Sequence, residues 1–411
     1  MRDREGSAHE GLLARLCAGL SYSGTTEYGS CIQQATTNVL EAQGLRGAAD
    51  LIGTSWGFGY RTGDVRLRAG DRWLPAAARL SGLDITRLRP GSAEAAFGLE
   101  QAALADGVPA VVAVDSYDIP SPYQGTTHLM HALILVGADE DTVTVLDPMN
   151  RPEPARMSRA AYRRSRGSAV VAGYDLIVSR GSVDRPVSAV DAVGELYADA
   201  VARHEADLDE FDRFVRDVEA GRVAPDVADV AAERTYAHRV LAAASQERPE
   251  LKTSATAMDT LASRWYFAHT VAMEGDAGVS RRMPKILRAL RERETQVLDE
   301  FADTVRAAGL APAGAAEVPP GLSASIRSVL ESQTSIAVEG LGPDDDLWSA
   351  GLTSLESVRA MMAIEDELRL EFPPSLLSRA TFESLSSIER AVVAVLTGSA
   401  DDVVSSNGGN R

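Results

Sequence analysis

The chain has 411 residues, of which 45% are hydrophobic and 24% charged, a composition typical of globular protein and sufficient for two or three domains. Its formal net charge of −18 argues against nucleic acid or an anionic membrane surface as a partner. No stretch reaches the ~18 consecutive apolar residues of a transmembrane helix, and the N-terminus lacks the apolar core of a signal peptide. The two cysteines, Cys17 and Cys31, give no disulfide framework. These features lead us to expect a cytoplasmic protein.

The first 185 residues mix helix and strand signals. A helix is predicted over Cys31–Ala42, with Gly44 as its stop signal. Short β-branched runs bounded by turn residues predict strands at Val111–Val114, Leu129–Val136, Thr142–Leu146 and Ser168–Ser179. An acidic turn joins the second and third of these strands, which predicts a hairpin.

Three residues in this region have the order of a catalytic triad. Ser30 and Gln33 match an S-x-x-Q capping box, so Cys31 falls at the first helical position, where the helix end favours the thiolate. A nucleophilic cysteine needs a base, and the base needs an orienting group. His131 begins one strand of the hairpin and Asp147 ends the other, so a short hairpin brings them together. Taken singly, the three have plainer interpretations: a buried thiol, a structural histidine and a turn.

His128, three residues before His131, raises the question of a metal site. In a strand this spacing puts the two rings on opposite faces. No acidic or cysteine partner stands at ligand spacing, so we expect no metal.

Two further motifs have open interpretations. Asp115, Tyr117 and Tyr123 follow a buried strand and precede His131, so they either line an acceptor pocket or form an ordinary polar loop. The Trp56–Tyr60 segment is either a wall of the substrate site or a packing loop.

The sequence pattern changes twice in the remainder of the chain. From Val187 to Ala308 the pattern is almost wholly helical, with charged runs typical of solvated helix faces, and Gly309 is a stop signal. A Pro/Ala/Gly-rich linker and a carrier-like segment follow. The predicted organisation is a mixed domain at 1–185, a helical domain at 186–309, a linker at 310–321, a carrier domain at 322–398 and a disordered tail at 399–411.

The carrier-like segment presents a serine at a helix start. Thr353 and Glu356 form a T-x-x-E capping box, which places Ser354 at the first helical position beside free backbone N–H groups. Apolar residues at helical spacing predict the buried face of this helix: Leu355, Val358 and Met362.

Residues 322–398 resemble a complete acyl or peptidyl carrier domain. The resemblance includes a first helix at Ser323–Ser332, an acidic loop, the Ser354 helix reaching Leu368, a short helix near Leu376–Arg379 and a last helix at Ser384–Leu396. It implies a four-helix bundle with 4′-phosphopantetheine attached covalently to Ser354. It also implies two partners, a phosphopantetheinyl transferase and an acyl- or aminoacyl-loading enzyme.

Residues from Tyr28 to Arg180 resemble the N-terminal domain of the butirosin biosynthesis protein H family. The matching motifs are the Cys31 helix, Trp56–Tyr60, Asp115–Pro120 and His131 through Pro148, and residues 233–236 with Trp265 resemble the region that follows. The resemblance implies an α+β, papain-like domain. It also implies a Cys31 nucleophile that passes an acyl or aminoacyl group from a carrier protein to a small-molecule amine, forming an amide in natural-product and antibiotic biosynthesis.

The sequence leaves one hydrogen-bond donor of the oxyanion hole unassigned. Related processing peptidases have a glutamine a few residues before the cysteine, and the stretch 25–30 has none. The backbone N–H of Cys31 supplies one donor, while Gln33 and Gln34 are weak candidates for the second.

The sequence therefore predicts an acyltransferase with His131 as base, Asp147 as its orienting group and Ser354 as the donor attachment point. Two alternatives stay open: a thioesterase that hydrolyses or edits carrier-bound acyl groups, and an inactive scaffold for the carrier. A hydroxyl acceptor and a homodimer are also compatible with the sequence.

Overall fold

The computed structural model describes residues 14–16, 30–60, 67, 72–171, 174–183, 186–273, 277–312, 322–338, 341–342, 345–373 and 376–396. The predicted tail and the linker beyond Pro312 lie outside these ranges. The chain divides into two compact units. The first unit comprises Met1–Ser55, Asp71–Val193 and Ala231–Ser263, and the second comprises Trp56–Gly70, Gly194–Val230 and Arg264–Arg411. Both units are discontinuous, and the predicted domain boundary at residue 185 stays a prediction.

The first unit contains a six-stranded antiparallel sheet, in the order β1-β6-β2-β3-β4-β5 within the described residues. The strands are β1 Asp84–Leu88, β2 Ala110–Asp115, β3 Met130–Ala138, β4 Thr142–Asp147, β5 Arg151–Ser158 and β6 Leu176–Arg180. The predicted strands at Val111–Val114, Leu129–Val136 and Thr142–Leu146 are confirmed. The last predicted strand starts at Leu176 rather than Ser168, because turns and bends occupy residues 167–171 and 174.

The sheet is accompanied by helices α1 Cys31–Ala42, α2 Trp73–Ser81, α3 Ala93–Ala105 and α4 Arg159–Arg166. Helix α1 packs along β3 and β2. A cluster of buried apolar side chains joins the sheet to α3 and α4, with Val112, Leu133 and Val145 from the strands meeting Ala103 and Tyr162 from the helices. The first unit is therefore α+β, as predicted.

One buried arginine on α4 pairs with a glutamate on α3 and also hydrogen-bonds the backbone of the sheet. The guanidinium of Arg166 has no exposed surface and donates to Oε1 of Glu100 on α3 at 2.7 Å. Its remaining N–H groups donate to the backbone oxygens of Ala113, Tyr174 and Asp175 at 2.7, 2.7 and 3.1 Å. Because every partner is an acceptor, the buried charge is compensated on several sides.

The long helices are α5 Ala189–Glu219, α6 Ala228–Glu247, α7 Lys252–Met273 and α8 Ala277–Ala307. This confirms the predicted helical region and its end before Gly309, which adopts a φ of 66°. No helix in the described ranges has the length and hydropathy that a bilayer span requires.

The Trp56–Tyr60 segment belongs to the core of the second unit. Trp56 and Tyr60 are 3% and 1% exposed. The Trp56 indole donates to Glu294 at 2.6 Å, and the Tyr60 hydroxyl donates to Asp217 at 2.5 Å. Phe58 packs against Phe211 with ring centroids 4.8 Å apart. The packing interpretation is therefore correct and the substrate-wall interpretation is wrong, because these side chains are buried among helices.

The carrier region contains α9 Leu322–Gln333, α10 Ser354–Leu368, a 3-10 helix at Arg379–Phe382 and α11 Leu385–Leu396. Its core includes Ile326 and Leu330 from α9, Ile364 from α10, and Ile388 from α11. The predicted order of helices is confirmed, except that the short third helix near Leu376–Arg379 is 3-10 rather than α-helical, with Leu376 and Arg379–Phe382 in 3-10 conformation.

Candidate active site and carrier serine

Cys31 is the first residue of α1, as predicted. The residue before it, Ser30, has the extended backbone of an N-cap, with φ −70° and ψ 131°, but its side chain makes no cap hydrogen bond. The predicted S-x-x-Q box is therefore absent. Gln33 and Gln34 are buried at 5% and 4% exposure. The thiol of Cys31 is free and partly exposed, which a nucleophile requires.

The structure brings the three predicted triad residues together. Nε2 of His131, near the start of β3, lies 3.0 Å from Oδ2 of Asp147 at the end of β4. The Cys31 side chain is also a hydrogen-bond partner of this imidazole. Because Asp147 occupies Nε2, Nδ1 is the nitrogen that remains for the thiol. The three residues therefore form a cysteine–imidazole–carboxylate chain.

The electrostatics of the site favour a charged imidazole. Burial opposes the charge on His131, but hydrogen bonds to Asp147 and Cys31, together with their charges, raise its pKa to about 10. Burial likewise opposes the charge on Asp147, but its hydrogen bond to His131 and the imidazolium charge lower its pKa below the ordinary value. Both shifts keep an imidazolium and a carboxylate paired at neutral pH.

Asn150 is a site residue that the sequence analysis missed. Its Nδ2 donates to Oδ2 of Asp147 at 3.0 Å and lies 3.4 Å from Nε2 of His131. The other carboxylate oxygen of Asp147, Oδ1, accepts from the backbone N–H groups of Met149 and Asn150, both at 3.1 Å. The signal was the Asp-Pro-Met-Asn turn, in which an aspartate typically binds the N–H groups two and three residues on. This turn fixes the carboxylate that pairs with the His131 ring.

The predicted pocket residues have a different arrangement. Asp115 has no exposed side-chain surface. Its Oδ2 accepts from Ser168 at 2.5 Å and lies 2.6 Å from Nδ1 of His128, while its Oδ1 accepts from the N–H of Tyr117 at 3.0 Å. Burial opposes its charge, but these hydrogen bonds hold the pKa of Asp115 below its usual value. Both carboxylate oxygens of Asp115 are therefore hydrogen-bonded within the loop, and its place in an acceptor pocket stays a prediction.

The two predicted pocket tyrosines lie at the surface of the same loop. Tyr117 is 36% exposed and stacks on His128, with ring centroids 4.2 Å apart and planes 12° from parallel. Tyr123 is 45% exposed. His128 belongs to this Asp115 cluster. The sequence analysis considered His128 only as a metal ligand and did not predict this hydrogen bond. Acceptor contacts by Tyr117 and Tyr123 stay a prediction.

Ser354 stands at the start of α10 with its side chain exposed. The predicted capping box is confirmed: Glu356 N donates to Thr353 Oγ1 at 3.3 Å, and Thr353 N donates to Glu356 Oε2 at 2.9 Å. Oε1 of Glu356 also accepts from the N–H of Ser335 at 2.8 Å. Hydrogen bonds from Thr353 and Ser335 lower the pKa of Glu356 to about 2. The helix start is thus held rigidly while the serine stays accessible.

The predicted buried face of α10 is wrong. Leu355, Val358 and Met362 are 62%, 48% and 56% exposed, and the residues that face the core are Ser357, Ala360 and Ile364. A helical repeat alone does not say which of two apolar stripes packs inward. Here Ser357, Ala360 and Ile364 lie inside, and the three predicted residues lie on the exposed side of the helix, as does Ser354.

These surroundings fit a 4′-phosphopantetheine group. An exposed hydroxyl at a capped helix start leaves open space for a phosphodiester, and the positive helix end favours its negative charge. Ser354 meets both requirements.

Comparison with known proteins agrees with this part of the site. The profile of the family described as "Phosphopantetheine attachment site" matches residues 324–392. An aminoacyl carrier protein of Agrobacterium fabrum is 38% identical over 79 residues, which are 19% of this chain and 95% of that protein. Among solved structures, a C39-like peptidase from Bacillus anthracis has a TM-score of 0.27 and 12% identity, covering 38% of this chain and 91% of that one. That TM-score is too low to define a shared fold.

Proposed function

This chain belongs, through its C-terminal domain, to the phosphopantetheine-binding carrier proteins, and from this premise we propose that its sheet-bearing unit is an acyltransferase acting on carrier-bound donors. The observation that carries the proposal is the cysteine–imidazole–carboxylate chain of Cys31, His131 and Asp147 on the same polypeptide as a carrier domain. The resemblance to the butirosin biosynthesis protein H family, with its papain-like domain, supports the same assignment.

The carrier domain takes a covalent 4′-phosphopantetheine. When bound, this group supplies the thiol that holds the acyl group as a thioester. We assign its attachment to the Ser354 hydroxyl, because that oxygen is exposed at a capped helix start. A phosphopantetheinyl transferase and an acyl-loading enzyme are the partners that such a domain requires.

In the proposed first step, the Cys31 sulfur attacks the thioester carbonyl carbon and forms a new C–S bond. The carbonyl oxygen gains the displaced electron pair, and the bond to the donor thiol then breaks. His131 gives its proton to the departing sulfur, which the raised pKa of its imidazolium makes available. Asp147 keeps the ring oriented throughout. The product is an acyl group on Cys31.

In the second step, the nitrogen of an amine attacks the acyl-Cys31 carbonyl carbon. His131, now neutral, accepts the proton that the amine loses, and Cys31 departs as the thiolate. Transfer between two thioesters is nearly neutral in free energy, and forming an amide from a thioester is downhill. These two transfer steps therefore need no nucleotide.

We favour an aminoacyl or short acyl group as the cargo. The relative that matches the carrier domain is an aminoacyl carrier protein, which is loaded with amino acids according to its name. A small-molecule amine is the acceptor that the amide product requires.

The test is intact mass spectrometry of the phosphopantetheinylated full chain after loading with candidate amino acids. We expect a second acyl group on the wild-type protein, its loss in Cys31→Ala and its retention in Cys17→Ala, the control for the other cysteine. Addition of an amine should discharge the protein and release an amide.

Two outcomes favour the alternatives. Release of free acid alone, with and without amine, supports a thioesterase. Turnover that persists in Cys31→Ala without a second acyl group supports a scaffold role for the sheet-bearing unit.

A further inference from the structure

Helix α8 contains a basic stretch that contrasts with the charge of the whole chain. The formal net charge of the chain is −18, yet residues 281–293 include a single acidic residue, Glu292, and six basic ones: Arg281, Arg282, Lys285, Arg288, Arg291 and Arg293. Lys285 and Arg288 are exposed on the helix. A local excess of positive charge of this kind attracts anionic partners.

The basic stretch borders a groove between α8 and α5, which we call the basic groove. Its volume is about 300 Å³, and six residues line it: Asp212, Val215, Arg216, Arg288, Arg291 and Glu292. Nε of Arg291 donates to Oδ1 of Asp212 at 2.7 Å, and Arg288 pairs with Glu219. Arg216 is exposed and forms no ion pair with the residues that the structure describes. Its guanidinium is therefore available to an anionic partner.

The carrier region of the same chain has the opposite charge. Residues 322–398 include twelve acidic and five basic residues. Three of the acidic residues lie close together at the end of the Ser354 helix, and we call them the acidic segment: Asp366, Glu367 and Glu371. All three are exposed, and none forms an ion pair within the described ranges. The acidic segment therefore complements the basic groove in charge.

The length of the linker allows the two surfaces of one chain to meet. Arg288 lies nineteen residues before Ala307, the last residue of α8, which is about 29 Å along an α-helix. A linker of the length of residues 310–321 spans as much as about 40 Å when extended. A domain joined through a short linker has an effective concentration in the millimolar range, whereas the net charge of −18 repels nucleic acid and anionic membranes.

We propose that the basic groove is a docking surface for the carrier region of its own chain, which binds through the acidic segment. Exposed ion pairs contribute little free energy each, so this docking is weak and reversible. A carrier that must also meet a loading enzyme requires such reversibility. The inference goes beyond the proposed acyl transfer, because docking needs neither Cys31 nor a loaded carrier.

The lysine content of the chain provides a selective test. Lys252 and Lys285 are its two lysines, and both are exposed. A water-soluble carbodiimide joins a lysine amine to a carboxylate that touches it. On the full chain without phosphopantetheine, we expect cross-linked peptides that join Lys285 to the acidic segment within monomeric protein. Lys252, on α7, should give no link to the carrier region.

Charge reversal in the basic groove should weaken the docking. We expect Arg216→Glu to lower the yield of the Lys285 cross-link by about fivefold, the effect of losing one exposed ion pair. Arg264→Glu makes the same change at an exposed arginine of α7 and should leave the yield unchanged. In about 1 M salt, where charges are screened beyond about 3 Å, the wild type should lose the link. Both variants should unfold at the wild-type temperature, because both positions are exposed.

Several results would overturn the inference. These are the absence of a link from Lys285 to the carrier region, equal links from the two lysines, a yield unaffected by Arg216→Glu, or a link that forms only in covalent dimers. Cys31→Ala should give the same cross-link as the wild type. The outcome for docking is therefore independent of whether Cys31 transfers acyl groups.

Discussion

His131 Nε2 and Asp147 Oδ2 lie 3.0 Å apart, although sixteen positions separate the two residues in the chain. The antiparallel register of β3 and β4, in which Ile134 pairs with Leu146, brings the start of one strand next to the end of the other. The geometry of this histidine–aspartate pair is thus a direct product of hairpin pairing. A register shift of one residue would move these side chains to opposite faces of the sheet.

Replacing Asp147 with asparagine should test whether its carboxylate holds the His131 ring in the orientation that acylation requires. An amide keeps the size of the side chain but removes the acceptor that holds the His131 imidazolium. We expect the rate of Cys31 acylation to fall by about 10²–10⁴-fold, measured by single-turnover mass spectrometry. Asp141→Asn, in the exposed turn of the same hairpin, is the matched control. Similar rates for the two variants would contradict an orienting role for Asp147.

The stability of the first unit should depend on pH through His131. Its pKa is raised from 6.5 to about 10 in the folded chain, so the folded state binds its proton more tightly than the unfolded state. The resulting stabilisation is fully present below about pH 6.5 and is lost as pH rises through about 10. The difference in melting temperature between wild type and His131→Gln should therefore shrink across this window. A difference in melting temperature that stays constant between pH 6.5 and 10 would contradict a dependence of stability on His131 protonation.

The capping box should control the helix that presents the carrier serine. Thr353→Ala removes the acceptor of the Glu356 N–H and should cost about 1 kcal/mol of α10 stability. Amide hydrogen exchange in the first turn of α10 should then accelerate by about fivefold. Thr353→Ser keeps the hydroxyl and should exchange at the wild-type rate. Unchanged exchange in the alanine variant would show that the cap is dispensable.

Removing the buried guanidinium of Arg166 should strongly lower the free energy of unfolding of the first unit. Arg166→Met leaves the Glu100 carboxylate buried without its partner, at a cost of about 3–5 kcal/mol. Arg156→Met breaks an exposed pair with Asp139 and should cost less than about 1 kcal/mol. Urea denaturation measures both. Comparable losses in the two variants would show that burial of the Arg166 pair adds nothing.

Local patterns predicted helix α1, the long helical region, the carrier helices and the site-bearing strands, whereas helices α2, α3 and α4 went unpredicted. The capping box at Ser354, the start of α1 at Cys31 and the β3–β4 hairpin each depend on a few neighbouring residues. Edge strands β1 and β5 went unpredicted, because Arg151–Ser158 contains two prolines and several charges that disguise a strand. Such strands are stabilised by pairing with a neighbouring strand rather than by the β-propensity of their own residues.

The errors in the site came from groups that meet only through the fold. No spacing rule connects Asp115 with Ser168, although the two side chains are hydrogen-bonded in the fold. The orientation of α10 failed for a similar reason, since Leu355 and Ala360 both lie on apolar stripes and only the surrounding helices decide which one is buried.

The first unit is assembled from three separate stretches of chain, the last of which spans residues 231–263 and contributes most of α6. A ribosome releases Cys31, His131 and Asp147 well before α6. During synthesis Cys31 therefore emerges before the last stretch of its own unit. Fragments ending near residue 185 should consequently expose hydrophobic surface that the complete unit buries.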